Sequence, residues 1–221
     1  MVTFPGESAE YRAARDELLK AEMELRRQVE AVATQRRALP PGGLVEKSYG
    51  FMTASPGRGE EQLDLSGLFL GGKDSLVVYG FMYPDDGAPC PMCSAFLDSF
   101  DGAVPHIREQ ADVAIVAKTS ASRIRDWAVD RGWRHLPLYS SAGSDFNADY
   151  HAESTTHGQM PMVNVFRRDG DAIRHVVASE MFFAPNEPGQ NPRHVDMLWP
   201  LWNTLDLTPG GRGEWCPSTR Y

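Results

Sequence analysis

Between Ser75 and Tyr83 the chain is β-branched and aromatic, and after the loop Pro84–Pro89 it enters Cys90-Pro91-Met92-Cys93. A short apolar run bounded by turn residues reads as a buried strand, and the stretch from Cys90 toward Phe100 reads as a helix, resuming through His106 and Ile107. Asp112–Ala117 is the next strand. Ser120 or Ser122 then caps a helix through Ile124, Trp127 and Ala128 to Gly132, and Leu136–Tyr139 is another short strand. Met162–Phe166 and Ile173–Ala178 flank Arg167-Arg168-Asp169-Gly170-Asp171, a hairpin-turn signal. A last helix is expected over Arg193–Leu205, with Trp199 and Trp202 packed in the core beside Met197, Leu198 and Leu205. Strands alternating with helices, followed by an antiparallel hairpin and a closing helix, specify an α/β domain with a mixed sheet flanked by helices.

The N-terminal part is different in kind. From Ser8 to Arg37 there is no proline or glycine, and Ala, Glu, Leu and Arg dominate. This predicts one helix with Ser8 as N-cap, ended by Pro40-Pro41-Gly42-Gly43. Tyr11, Ala14, Leu18, Ala21 and Leu25 form a stripe that Val29 and Val32 continue, and Asp16–Lys20 and Glu22–Arg26 are i,i+4 pairs on other faces. Such a helix packs on its own domain or serves as the arm of a homodimer. The expected division is a helical arm over 1–42, an α/β domain over 43–209 and a tail over 210–221. Leu63–Phe69 reads as a short element and Gly71–Asp74 as a turn.

Composition narrows the function. With 22 Lys+Arg against 30 Asp+Glu in 221 residues, the net charge is −8 and no basic stripe is available to neutralise phosphates, so nucleic acid is excluded as the favoured partner. The charged N-terminal stretch carries no secretory signal pattern, and runs such as Leu198–Trp202 are too short to span a membrane. A soluble, cytoplasmic protein is expected. Its three cysteines, Cys90, Cys93 and Cys216, are too few for a disulfide scaffold. In a reducing compartment a close pair points to catalysis or metal binding.

Proline at the second position of Cys90-Pro91-Met92-Cys93 suits the first turn of a helix, where its missing N–H costs nothing. Cys90 then becomes the N-cap, and the free N–H groups of the first turn together with the helix dipole favour its thiolate. Cys93, one turn on, is placed to attack a mixed disulfide and release the partner. A c-type haem site requires histidine next, and Ser94 stands there instead. A structural zinc site usually needs four ligands, and the only further cysteine is the distant Cys216. Two incidental cysteines at a helix start remain the plain alternative. A second element bears on the same chemistry: Met160-Pro161 precedes the first strand of the hairpin, where a proline removes only an edge hydrogen bond.

The order of strand, Cys-x-x-Cys helix, strand, helix, strand, proline-led hairpin and terminal helix resembles the thioredoxin superfamily. The resemblance implies that Cys90 attacks, Cys93 resolves, and Pro161 is a cis-proline flanking the disulfide, with Met160, Pro91 and Met92 beside it on the partner-binding surface. Leu63–Tyr83 and the polar segment Leu138–Tyr150 resemble the peroxiredoxin-like branch. Over Tyr11–Glu214 the chain is similar to the DUF899 group of bacterial proteins, predicted to be dithiol-disulfide oxidoreductases. The charged N-terminal helix, Phe81-Met82-Tyr83-Pro84, Ser140–Asn147 and the ending from Asp196-Met197-Leu198 to Glu214 carry that similarity. Two departures stand out. Thioredoxins commonly carry a buried Asp on the strand before the cysteines, where this chain has Tyr79, so the proton-transfer helper is unassigned. Peroxiredoxins place a Thr three residues before the reactive cysteine, where this chain has Gly87, and Asp85 and Asp86 in the loop would disfavour a nearby thiolate.

The expected function is therefore dithiol–disulfide exchange with a protein or small-molecule disulfide, with no cofactor. The alternatives are a thiol peroxidase, a non-catalytic interaction protein, or a copper- or zinc-handling protein that recruits His151 and His157, near Asp145, Asp149 and Glu153, to Cys90 and Cys93. Cys216 reads as a free tail thiol.

Overall fold

The computed structural model describes residues 2–191 and 193–220. They form two compact units, one up to Pro41 and one from Gly42 onward.

The first unit is one helix, α1 (Ala9–Arg37), and none of its residues is buried. Ser8 caps it, its hydroxyl accepting from the Tyr11 N–H at 3.1 Å, while Glu10 in the first turn and Arg36 and Arg37 in the last complement the helix dipole. The ion pairs differ from the expected ones. Arg12 holds Glu7 and Asp16, Lys20 turns to Glu17, and Glu22 binds Arg15. A guanidinium fork can serve two carboxylates at once, which is why Arg12 rather than Lys20 takes Asp16.

The second unit contains β1 (Gly43–Leu44), β2 (Phe51–Thr53), β3 (Gln62–Leu63), β4 (Ser75–Gly80), α2 (Pro91–Asp101), α3 (Val104–Ile107), β5 (Asp112–Ala117), α4 (Ala121–Arg131), β6 (Leu138–Ser140), α5 (Phe146–Asp149), β7 (Glu153–Ser154), β8 (Gly158–Gln159), β9 (Val163–Asp169), β10 (Ala172–Ala178) and α6 (Pro200–Leu205). Eight strands make one mixed sheet in the order β1-β10-β9-β4-β5-β6-β2-β3, and β7 and β8 pair separately. At its centre β4 runs parallel to β5 and antiparallel to β9, with Tyr79 opposite Ile115 on one side and Val163 on the other. Parallel β4, β5 and β6 beside the β9–β10 hairpin, with a helix after β4, give the thioredoxin-like mixed sheet expected from the element order.

Alternation along the central strands divides the core between the two faces of the sheet. Tyr79, Val113, Ile115 and Ala117 pack with Phe96 and Leu97 of α2, Ile124 and Ala128 of α4, and Trp199 and Trp202. Leu76, Val78, Ala114 and Val116 pack on the other face with Phe51, Leu68, Phe146 and Phe166. Ser120 caps α4, accepting from the Arg123 N–H, and Gly132 closes it in the left-handed region at φ 73°, a conformation glycine adopts without a Cβ penalty.

Two expectations are corrected. The strand predicted to reach Tyr83 ends at Gly80. There the backbone of the 160–162 segment closes in: a Cβ on Gly80 would lie 3.2 Å from the Met160 carbonyl oxygen and 3.0 Å from the Ala152 Cβ. The helix predicted over Arg193–Leu205 is broken into a 3₁₀ turn, Asp196–Leu198, and the short α6, separated by Trp199 in an extended conformation (φ −119°, ψ 102°). Pro200 explains the break, because a proline disfavours helical backbone at the residue before it while suiting the first position of the helix it begins. Trp199 and Trp202 are buried as expected, whereas Met197 and Leu198 are exposed.

Candidate active site

Cys90 is the N-cap of α2 and Pro91 its first residue. The Cys90 sulfur accepts from the Cys93 N–H at 3.4 Å, so the orphan donors of the first turn are aimed at it. Its position is fixed from behind. The Cys90 N–H donates to the Met82 carbonyl at 2.9 Å, and the Ser94 hydroxyl donates to the Cys90 carbonyl at 3.0 Å while accepting from the Trp127 indole at 3.2 Å.

Met82 lies on the extension beyond β4, and Gln159 holds that extension. The side-chain amide of Gln159 accepts from the Tyr83 N–H at 2.7 Å and donates to the carbonyls of Tyr83 (3.1 Å) and Lys118 (2.9 Å). The loop before the cysteines is held as firmly. Asp85 accepts from the Thr119 hydroxyl at 2.7 Å, and Arg123 donates to the Gly87 carbonyl at 2.6 Å while stacking over the Tyr83 ring.

The two thiols differ sharply. Cys90 is half-buried and its pKa is lowered to about 6: the Cys93 thiol donates to its sulfur, and the N–H groups of Cys93 and Met92 add to this against the cost of burial. Cys93 is 2% exposed. Its hydrogen bond to the Cys90 sulfur, its burial and the neighbouring thiolate all raise its pKa, while hydrogen bonds from the Tyr79 hydroxyl and the Met82 N–H work the other way. Tyr79, also buried, is kept protonated well above the usual tyrosine range by its burial and then by Cys93. The position that lacks the expected carboxylate thus holds a phenol that is a hydrogen-bond donor to the second sulfur. The loop acids Asp85 and Asp86 do not prevent the lowering of Cys90.

Both cysteines line a cleft of about 780 Å³ that also takes in Met92, Met160 and Pro161, so four of the expected partner-surface and cysteine positions converge with Pro161 in one place. Pro91 is exposed and does not line it. The Met160–Pro161 peptide is trans, since no cis peptide bond occurs among the described residues; this corrects the cis-proline implied by the resemblance. The opposite wall comes from regions outside the cysteine and proline motifs: Ser154–Gln159, and the segment after β10 that brings Phe182, Phe183, His194, Val195 and Trp199. Burial lowers the pKa of His194 to about 4, so it is a neutral ring near pH 7; it packs against Phe182 with centroids 4.7 Å apart and the rings tilted by 57°. Pro200, which forces Trp199 out of the helix, was the available signal for this wall.

The histidine–carboxylate group considered for a metal is dispersed. Asp145 and Asp149 both bind Lys47, at 2.7 and 2.9 Å, Glu153 pairs with Lys118, and His157 turns to Ser154. His157 lines the cysteine cleft, while His151 lines a separate one beside His175. Among the described residues no three His, Cys, Asp or Glu side chains gather closely enough to hold a metal ion. Cys216 is free and exposed, and is not among the residues lining the cysteine cleft. No helix of the described residues is long and apolar enough to cross a membrane.

Comparison with solved structures finds peroxiredoxin-type proteins. A PrxQ mutant from Xylella fastidiosa is 19% identical, with a TM-score of 0.47, 63% of this chain and 84% of that one being covered. Peroxidoxin BcpB from Mycobacterium tuberculosis is 18% identical at a TM-score of 0.47, covering 72% and 94%. The mitochondrial 2-Cys peroxiredoxin of Plasmodium falciparum is 16% identical at a TM-score of 0.43, covering 80% and 98%. No curated protein gives a significant match. One family model matches residues 1–221 from end to end, and the chain therefore belongs to the family described as bacterial protein of unknown function, DUF899.

Proposed function

We propose that this protein is a dithiol–disulfide oxidoreductase in which Cys90 and Cys93 are the redox couple, working in a reducing compartment such as the cytoplasm. The observation that carries the reading is the asymmetry of the two sulfurs: an accessible thiol lowered to about 6 beside a buried one that stays protonated. A nucleophile and a reserve thiol are what the two steps of exchange require.

In the first step the Cys90 thiolate attacks one sulfur of a disulfide RSSR. A Cys90–S–S–R bond forms, the S–S bond of RSSR breaks, and RS⁻ leaves. In the second step Cys93 gives up its proton to a leaving thiolate and attacks the Cys90 sulfur. The mixed disulfide breaks, the second RS⁻ departs, and the Cys90–Cys93 disulfide remains. Two electrons pass from the dithiol to RSSR, which is released as two thiols. Tyr79 and the Met82 N–H donate to the Cys93 sulfur as its charge develops, and no group outside the chain is needed.

The other readings lack support at this site. No threonine occupies the loop before Cys90, and no arginine is among the described residues lining the cleft, so the peroxiredoxin Thr and Arg have no counterpart at those places, while Thr156 lines the cleft from another segment. Of the two histidines a metal-handling protein would recruit, His157 lines the cysteine cleft and His151 a separate one, and no three potential ligands gather among the described residues. The test is a pair of substitutions. Cys90→Ser is expected to abolish disulfide reduction by the purified reduced protein, and Cys93→Ser to accumulate a mixed disulfide visible by mass spectrometry. Wild-type rates in both variants would overturn the proposal.

A further inference from the structure

The cysteine cleft has a composition that bears on what enters it. Met92, Met160, Phe182, Phe183, Val195 and Trp199 are among the residues that line it, beside a few neutral polar side chains. Its volume, about 780 Å³, is that of a small-molecule pocket rather than of a flat docking face. Among the described lining residues there is no Lys, Arg, Asp or Glu. Of the two histidines, His194 is neutral near pH 7, and His157 sits at the exposed rim, its backbone N–H donating to the Ser154 hydroxyl at 2.9 Å. Of the two side-chain amides in the lining, Gln159 spends both ends on the backbone, and the oxygen of the exposed Asn191 accepts from the Arg193 N–H. Phe183 is 52% exposed between this cleft and the next, an aromatic face left in water at the mouth of a reactive site.

Resting on the oxidoreductase reading, we propose that the substrate is a low-molecular-weight disulfide whose groups are uncharged and apolar, aromatic ones above all, bound between the methionines beside the cysteines and the Phe182–Phe183 wall. A carboxylate-bearing disulfide such as that of glutathione would shed its hydration in this cleft and meet no counter-charge. Thioethers and aromatic rings instead offer polarisable contact to an aromatic thiol and adapt to its shape. A protein disulfide would have to bring its sulfurs into this cleft to reach the half-buried Cys90.

The test is a single-turnover comparison with the reduced full-length protein. The probes are an uncharged aromatic disulfide (2,2′-dithiodipyridine), a dicarboxylate aromatic disulfide (5,5′-dithiobis-2-nitrobenzoate), glutathione disulfide and insulin. Each rate is divided by that of the same probe with a free simple thiol at the same thiolate concentration. The uncharged probe is expected to gain at least about tenfold over the others, equivalent to about 1.4 kcal/mol, and to show saturation. Phe183→Ser, at an exposed position that spares the core, is expected to remove most of that gain by raising the half-saturating concentration. Its rates are divided by its rate with iodoacetamide, which reports the reactivity of Cys90 itself. Equal normalised rates for charged and uncharged probes, or a preference for insulin or glutathione disulfide, would overturn the substrate class while leaving the exchange reaction standing. Absence of reaction with all four probes, with Cys90 still alkylated by iodoacetamide, would overturn the exchange reading and this inference with it.

Discussion

The two walls of the cysteine cleft are made differently. One is built on the end of β4 and the first turn of α2, the sheet centre and a capped helix, and each group that touches a sulfur is held by a further contact: Met82 through Cys90, Cys90 through Ser94, Ser94 through Trp127. The other comes from the β7–β8 excursion and the largely irregular segment after β10, with short 3₁₀ turns and aromatic side chains. The difference separates chemistry from recognition. Sulfur reactivity depends on tenths of an ångström and sits on regular elements, while the shape presented to a partner is carried by connections free to vary.

The walls meet at Phe96, and removing it should have the largest effect. Its ring lies 4.7 Å from Tyr79, 5.1 Å from Phe100 and 5.9 Å from Trp199, and it is 1% exposed. Phe96→Ala should destabilise the protein by about 3–5 kcal/mol, measured by urea or guanidinium unfolding. A loss below about 1 kcal/mol would mean that the walls do not share this support.

Next comes the contrast within the first wall. Because the pKa of Cys90 lies at about 6, its thiolate fraction rises as pH rises through that value. Iodoacetamide alkylation should follow the same curve and be half-maximal near it. At pH 6 an ordinary thiol of pKa near 8.5 would hold on the order of a hundredfold less thiolate. Cys93→Ala removes the hydrogen bond from the Cys93 thiol and should move the midpoint upward. A wild-type midpoint near 8.5, or one unmoved in the variant, would contradict the origin assigned to the shift. Smaller again is Gln159→Leu, which breaks a side-chain amide clamp between the β8 segment and the backbone of Tyr83 and Lys118. It leaves the Tyr83 N–H without its acceptor and should cost about 1–3 kcal/mol; an unchanged unfolding midpoint would show that the clamp is idle.

The same division decides what could be read from the sequence. The first wall was legible because its signals are local: a β-branched run, a thiol followed by proline at a helix start, Ser120 and Gly132 bounding α4. Cys90 as N-cap and the Asp112–Ala117 strand follow from such signals directly. The thioredoxin-like sheet was legible for the same reason, since element order limits how strands can pair. The second wall depends on contacts between residues far apart. Nothing near Phe182 or His194 announces that they face Cys90, and Gln159 clamps Tyr83 across 76 positions. The helix break at Pro200 was available and outweighed by the apolar run around it. In the sequence Tyr79 signals only a missing carboxylate, because a tyrosine in a buried strand ordinarily means packing.

Tyr79 is also where the smallest effect should be the most informative. It is 3% exposed and donates to the sulfur of Cys93, which receives a second hydrogen bond from the Met82 N–H. Its own pKa is held so high that it cannot act as a base; it can only stabilise charge that arrives on Cys93. It should therefore leave the first step of exchange alone and act on the second, when Cys93 must become a thiolate. Tyr79→Phe keeps the ring against Phe96 and removes one of the two donors, worth about 1 kcal/mol, which corresponds to roughly a fivefold longer life of the mixed disulfide. Release of the second thiol from an aromatic disulfide, followed in stopped flow after a normal first burst, measures this. Deprotonation of Cys93 is promoted by rising pH, and losing a donor raises its pKa further, so the pH profile of the second phase should move to higher pH while the Cys90 alkylation midpoint stays near 6. A second phase unchanged in rate and profile would reduce Tyr79 to a packing residue, and a slower first burst would assign it to the wrong sulfur.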